Sequence, residues 1–310
     1  MQWYHILLIV IFILLTFLVI MFFKFLETFT IKKQSQSAFV ADPSYAKYVN
    51  TIRKNIEYFE TVDKEEVYVN SFDNLKLKGH LIECENSKKV VIFFHGFKSS
   101  YKTDLTNAGS YIKKGYSVLT VEQRAHGGSE GRFITFGVLE RYDVVSWINY
   151  VISRYGNDVE IVLMGVSMGA STIMMASELN LPNNVKAILC DCGYTSPKQE
   201  ISYYINHYYH LPAFPLVNIL DLFCRIFAKF SLNGANCYES LKKSNIPTFI
   251  IHGDGDDFVP YSCSIKNYSG CNMEIKEFVT IKCDVHAVSY LEDMQTYQNK
   301  LDEFLKRINF

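Results

Sequence analysis

Residues 161–172, IVLMGVSMGAST, place a short apolar run directly before Ser167, which has a glycine two positions away on each side. A continuous apolar run of this length is typical of a strand buried in a parallel sheet. Residues 160–165 are therefore the predicted strand, and a helix is predicted to follow the serine. Gly165 and Gly169 remove side chains that would collide where the chain enters and leaves the turn. The pattern predicts a sharp turn that presents the Ser167 hydroxyl.

Similar apolar runs recur along the chain and alternate with helical patterns. A β-hairpin is predicted around Asp73 and Asn74 before this alternation begins. The alternation predicts an α/β protein, with a mainly parallel sheet covered by helices on both faces. The other predicted strands are 89–94, 116–122, 185–191, 246–253 and 274–281, and the predicted helices include 43–59, 139–155 and 291–308.

The alternation stops between Thr195 and Ser244. This segment, the aromatic insertion (residues 195–244), is rich in tyrosine and phenylalanine and is broken by Pro212 and Pro215. It predicts one or two helices that lie outside the sheet. Insertions of this length in a compact domain are usually functional.

The N-terminal segment from Ile6 to Phe23 has no charge and contains a single polar residue, Thr16. Its length fits the roughly 20 residues that a helix needs to cross a bilayer. The segment predicts a single-pass membrane anchor, and a cleaved signal peptide is the alternative. Basic residues that follow it (Lys24, Lys32 and Lys33) favour a domain on the cytoplasmic side.

Composition and charge limit the partners. Apolar residues make up 49% and charged residues 20% of the 310 residues, and the formal net charge is −1. No nucleic-acid partner is expected from this balance. Eight cysteines without framework spacing indicate free thiols in a reducing compartment, although their even number leaves the extracellular orientation open. No metal-ligand spacing and no cofactor motif are found. The sequence does not indicate an oligomeric state.

A nucleophilic serine needs a base, a group that orients the base, and donors for an oxyanion. Three acidic residues follow the strand 246–253, namely Asp254, Asp256 and Asp257. His286 stands after this loop, as the order Ser…Asp…His requires. The predicted oxyanion donors are the backbone amides of Met168, directly after the serine, and of Phe97, in the loop after the strand 89–94.

Five stretches in this order resemble the α/β-hydrolase superfamily: FFHGF, VEQRAHGGSEG, GVSMGA, HGDGDDFVP and HAVSY. The chain is most similar to membrane-anchored bacterial serine hydrolases with a single hydrolase domain. The resemblance implies a catalytic triad of Ser167, Asp256 and His286, with the His-Gly-x-x-Asp pattern selecting Asp256 among the three acids. It also places the aromatic insertion where the family inserts its lid.

The expected activity is hydrolysis of acyl esters of a small-molecule substrate, with Tyr194 and Phe258 as predicted substrate-binding residues. A peptidase or thioesterase with the same triad is an alternative, and so is a non-catalytic, membrane-tethered binding protein of this fold. The predicted organisation is a transmembrane anchor (1–26), a connecting arm with an amphipathic helix (27–66) and a hydrolase domain (67–310).

Overall fold

Eight strands form the sheet in a computed structural model of the chain, which describes residues 2–30, 43–102 and 108–310. The strands are β1 (Glu65–Asn70), β2 (Lys76–Ile82), β3 (Lys89–Phe94), β4 (Ser117–Val121), β5 (Glu160–Val166), β6 (Val185–Asp191), β7 (Thr248–Gly253) and β8 (Lys276–Ile281). Their order in the sheet is β1-β2-β4-β3-β5-β6-β7-β8. β2 pairs antiparallel with β1 and β4, and the pairs from β4 to β8 are parallel. The predicted, mainly parallel sheet is confirmed.

Helices cover both faces of this sheet. Successive side chains of β3 enter different cores, because Ile92 and Phe94 belong to one buried cluster while Val91 and Phe93 belong to the other. The helices are α1 (Gln2–Phe29), α2 (Val49–Thr61), α3 (Ala108–Lys113), α4 (Glu140–Tyr155), α5 (Met168–Ala176), α6 (Pro197–Tyr208), α7 (Ala213–Phe223), α8 (Cys237–Lys243), α9 (Tyr261–Gly270), α10 (Ser289–Glu292) and α11 (Met294–Arg307). Short 3-10 and π-helical turns occupy Pro43–Tyr45 and Cys224–Ala228.

Two regions contain more helix than the sequence predicts. The aromatic insertion contains α6, α7, the π-helical turn and α8, where one or two helices were predicted. α9 was not predicted, because its sequence YSCSIKNYSG is mostly polar and shows little apolar periodicity. A helix of this kind is stabilised by tertiary packing more than by its own sequence, and α9 packs against α8 and β7.

The N-terminal helix combines an exposed apolar part with a buried end. Side chains 3–20 are exposed, whereas Met21, Phe25 and Phe29 are buried against the rest of the chain. The span Trp3–Phe29 is long and apolar enough to cross a membrane, with a mean hydropathy of 3.5 in its most apolar window. A signal sequence near the N-terminus passes the same test of length and composition. The helix continues past residue 26, where the predicted anchor ends, to Phe29. Lys32 and Lys33 lie outside the described residues.

The cysteines carry thiols. All eight lie within the described residues, none of them forms a disulfide, and seven are buried. The reducing compartment that the sequence indicates stays a prediction.

Candidate active site

The turn after β5 holds Ser167 in a strained backbone conformation, with φ 54° and ψ −117°. Gly169 begins the exit from this turn, and a Cβ at this position would lie 2.0 Å from the carbonyl oxygen of Phe94. A Cβ at Gly165 would lie 2.4 Å from the carbonyl carbon of Gly169. The Ser167 amide donates to the carbonyl oxygen of Asp191, at 2.8 Å. The glycines let α5 pack close to the sheet, and strain of this kind at a non-glycine residue is typical of functional sites.

Three side chains from different loops meet at the carboxyl ends of the parallel strands. The Nε2 atom of His286, in the loop after β8, lies 2.8 Å from Ser167 Oγ. Its Nδ1 atom lies 2.6 Å from Oδ2 of Asp256, in the loop after β7. The serine, histidine and aspartate predicted to act together are therefore in one hydrogen-bonded row. All three are buried.

Asp256 is held in its ionised form. Its Oδ1 accepts hydrogen bonds from the amides of Phe258 and Val259, each at 3.0 Å. Burial alone raises the pKa of this carboxyl. The charge of His286 and the hydrogen bonds from His252 and His286 outweigh burial and hold the pKa well below its usual range. The site therefore contains a fixed negative charge beside one nitrogen of His286.

The environment of His286 favours its protonated form. Burial lowers the pKa of the imidazole, but the charge of Asp256 and the hydrogen bond to it raise the pKa above the ordinary value of 6.5. The backbone of His286 is also fixed, since the Tyr45 hydroxyl donates to its carbonyl oxygen at 3.0 Å. The histidine is positioned to take a proton from Ser167 and to keep it while a charge develops nearby.

His252 is a site residue that the sequence analysis did not identify. It is fully buried at the end of β7, and its Nε2 lies 3.0 Å from Asp256 Oδ2 and 3.1 Å from the Val259 carbonyl oxygen. Because both partners are acceptors, Nε2 carries the proton, and Nδ1 accepts from the Ser264 hydroxyl at 2.7 Å. His252 therefore donates to the same carboxylate oxygen of Asp256 that His286 contacts, and it helps to hold this carboxylate in place. A histidine directly after the apolar residues 249–251 was the available signal.

A cavity of about 200 Å³ opens over Ser167. The predicted oxyanion donor Phe97 and the predicted substrate-binding residues Tyr194 and Phe258 all line it. Met168 is fully buried and lies next to the cavity as the first residue of α5. Amides in the first turn of a helix have no partner within the helix, which leaves the Met168 amide available to a ligand.

Glu200 lines the same cavity from α6. Its carboxyl is buried, and Oε2 has no hydrogen-bond partner among the residues that the structure describes. Burial raises the pKa of Glu200 to about 8, against a smaller opposing effect of His286. At neutral pH this side chain therefore presents an uncharged carboxylic acid to the cavity.

The other members of the acidic loop have separate partners. Asp254 Oδ1 accepts from the Cys283 amide at 3.2 Å, and the Asp257 carbonyl oxygen accepts from the Tyr203 hydroxyl at 2.8 Å. Cys192 lies beside Asp256 and His286, with their potential metal-ligand atoms within 4.8 Å of one another. Burial raises the pKa of Cys192 well above its usual value.

A family model described as serine aminopeptidase, S33, matches residues 85–214. An uncharacterized protein of Bacillus subtilis (strain 168), YqkD, is 24% identical over 253 residues, which cover 82% of this chain and 83% of that protein. The region of the chain that this family model matches includes β3 to β6, the Ser167 turn and α6.

Solved structures share the fold. The esterase Pf2001 of Pyrococcus furiosus superposes with a TM-score of 0.64 at 23% identity, over 82% of this chain and 93% of that one. The α/β hydrolase GrgF of Penicillium sp. sh18 gives 0.63 at 17% identity, over 80% of this chain and 100% of that one. The chain has the α/β-hydrolase fold.

Proposed function

We propose that this protein is a serine hydrolase that cleaves acyl esters. The observation that carries the proposal is the row from Ser167 Oγ to His286 Nε2 (2.8 Å) and from His286 Nδ1 to Asp256 Oδ2 (2.6 Å). This is the geometry that a serine nucleophile, a general base and an orienting acid require. The match to a hydrolase family model and the fold shared with an esterase support it.

The reaction has two halves. Ser167 Oγ bonds to the acyl carbonyl carbon while its proton passes to His286 Nε2. The bond between that carbon and the alcohol oxygen then breaks, and His286 returns the proton to the leaving alcohol. Water attacks the acyl-enzyme in the same way, so that a carboxylic acid leaves and Ser167 regains its proton. Asp256 holds the imidazole in position and stabilises its charged form.

The amides of Phe97 and Met168 are proposed as oxyanion donors, and Tyr194 and Phe258 as substrate contacts. Phe97, Tyr194 and Phe258 line the cavity above Ser167, and Met168 begins the helix that follows the serine. Amides aimed at the developing oxyanion are usually a large part of the rate enhancement in acyl transfer.

We also propose that α1 anchors the protein in a membrane as a single-pass helix, with the hydrolase domain (67–310) on the cytoplasmic side. The exposed apolar side chains 3–20 support the anchor, and the basic Lys24 that follows them supports this orientation. A reporter fused to the C-terminus, active only in the cytoplasm, should be active. A second reporter, active only outside the cytoplasm, is fused at the same position in a parallel experiment. If only this second reporter is active, the domain lies on the opposite side of the membrane.

Peptidase activity is the second candidate, because the matching family model is described as a serine aminopeptidase. Hydrolysis of amides and hydrolysis of esters require the same three side chains, a serine, a histidine and an aspartate. Parallel assays with p-nitrophenyl esters and aminoacyl p-nitroanilides distinguish the two. We expect kcat/KM to be higher for the esters, and the opposite order would favour the peptidase.

The first test is labelling of the full-length protein in detergent with a fluorescent fluorophosphonate. We expect labelling of the wild type and none of Ser167→Ala. Ser177→Ala is the matched control, since this serine is also buried and lies at the end of α5. Absence of labelling in a folded wild-type protein would favour a non-catalytic binding protein.

A further inference from the structure

The apolar N-terminal helix forms part of the wall of the Ser167 cavity. Lys24, Glu27 and Thr28 of α1 line this cavity together with Ser167. Lys24 and Glu27 are exposed, whereas Ser167 is buried. The end of α1 therefore lies at the mouth of the cavity, and the serine lies at its floor.

The end of α1 is fixed to the domain around this mouth. The Lys98 ammonium donates to the carbonyl oxygen of Glu27 at 2.6 Å, and the Ile134 amide donates to that of Phe29 at 2.8 Å. Phe29 also packs on Phe136, with 5.3 Å between ring centroids. Phe136 lines the cavity, so one ring joins the helix to the cavity wall.

The mouth is close to the part of α1 that would occupy a bilayer. Side chains 3–20 are exposed, and a helix of this length rises about 27 Å, near the ~30 Å of a hydrocarbon core. Lys24 stands four residues after Ile20, or about 6 Å further along the axis. With residues 3–20 in the hydrocarbon, the mouth lies at the level of the lipid headgroups.

Exposed apolar side chains continue from α1 onto the aromatic insertion. We define the cap patch as Leu211, Phe214, Leu222, Ile226 and Phe227, which are each at least 46% exposed. Phe227 joins the patch to the anchor, because its ring centroid lies 5.1 Å from that of Phe22. A contiguous exposed apolar surface beside a membrane helix is typical of a face that enters the interface of a bilayer.

From this arrangement we infer that the substrate is an acyl ester that resides in the bilayer and enters the cavity directly from it. The inference rests on the proposed hydrolase function and on α1 as a membrane anchor. The cap patch and α1 hold the mouth against the headgroups, where the ester bonds of membrane lipids lie. The acyl chain then meets an apolar wall that includes Phe97, Ile201 and Phe258. Ser167 attacks the ester carbonyl, and the alcohol leaves with the proton that His286 supplies.

The experiment uses full-length protein in phosphatidylcholine vesicles that contain a diacylglycerol labelled in its acyl chain. Release of the labelled fatty acid is measured, and hydrolysis of p-nitrophenyl butyrate is measured in the same vesicles. The variant is Phe214→Ser with Leu222→Ser, two exposed positions that do not line the cavity. Ile265→Ser is the matched control, since Ile265 is 50% exposed on α9.

We expect the ratio of lipid to soluble-ester turnover to fall about tenfold in the double variant, because two apolar side chains leave the interface. Ile265→Ser should keep the wild-type ratio. A double variant with the wild-type ratio overturns the inference, and so does a wild type that hydrolyses the butyrate and releases no fatty acid. A wild-type protein that does not hydrolyse p-nitrophenyl butyrate contradicts the proposed function instead. Ile226→Ser replaces the double variant if that protein does not fold.

Discussion

At the scale of the residue, the charge of Asp256 controls the proton affinity of His286. That charge holds the pKa of His286 above 6.5 against the effect of burial. A base that must be neutral to act is lost as the pH falls through its pKa, so the acid limb of kcat/KM should lie above pH 6.5 in the wild type.

Asp256→Asn removes this charge and leaves burial as the dominant effect, which lowers the pKa of His286. We expect the acid limb to move to lower pH, and kcat/KM at its plateau to fall by about 10⁴. Asp257→Asn is the control, because this neighbouring residue is exposed, whereas Asp256 is buried. pH profiles with p-nitrophenyl butyrate test this. An acid limb at the wild-type position in Asp256→Asn would contradict the assigned role.

The proposed catalytic residues were predictable from the sequence because their order along the chain is informative. Glycines mark the turn at Ser167, and His286 is the histidine that follows the acidic loop. The choice of Asp256 among three acids needed the resemblance to a family. His252 and Glu200 were not predictable, since their roles arise from what burial places beside them. The catalytic roles themselves stay predictions.

At the scale of the element, close contact between α5 and the sheet depends on Gly169. A Cβ at this position would lie 2.0 Å from the Phe94 carbonyl oxygen and 2.8 Å from that of His95. Both neighbours are backbone atoms at the end of β3, so α5 or β3 must move to accommodate a side chain.

Gly169→Ala should lower the free energy of unfolding by about 3 kcal/mol or more. Gly109→Ala is the matched control on α3, where the nearest atom would lie 3.9 Å away, at Tyr58. Because alanine fits at this helical position without strain, Gly109→Ala should leave the free energy of unfolding unchanged or raise it by up to about 1 kcal/mol. Denaturant unfolding of both variants measures this difference. Equal stabilities would show that the turn tolerates a side chain.

The predicted strands agree with the observed ones to within two residues at each end, because short apolar runs bounded by turn residues define them well. α9 was missed because its helical form depends on contacts with α8 and β7. The number of helices in the aromatic insertion was underestimated. Proline residues mark where helices in such a segment break, but they do not specify how many helices form between the breaks.

At the scale of the whole molecule, α1 and the helices and strands that follow it share a core. The Phe25 ring is fully buried, with its centroid 5.6 Å from that of Phe133 and 5.9 Å from that of Phe223. The sequence predicted an anchor followed by a connecting arm. Hydropathy alone does not distinguish a helix that ends in solvent from one whose last turns are buried in a domain.

Phe25→Ala should therefore destabilise the domain by about 3–5 kcal/mol, as expected for a buried phenylalanine. Phe12→Ala on the same helix is the control, because Phe12 is 70% exposed. Thermal unfolding of the full-length protein in detergent measures both variants. Equal midpoints for the two variants would indicate that α1 does not contribute to the fold of the domain.

The hydrogen bonds from Lys98 and Ile134 to the last carbonyls of α1 have a mechanical consequence. Transmembrane helices change their tilt when the thickness of the surrounding bilayer changes. A helix joined to its domain by a flexible tether would tilt without moving the domain. With α1 as the proposed membrane anchor, the domain rotates with the helix. The thickness of the host membrane would thereby set the angle at which the proposed catalytic domain meets the membrane surface.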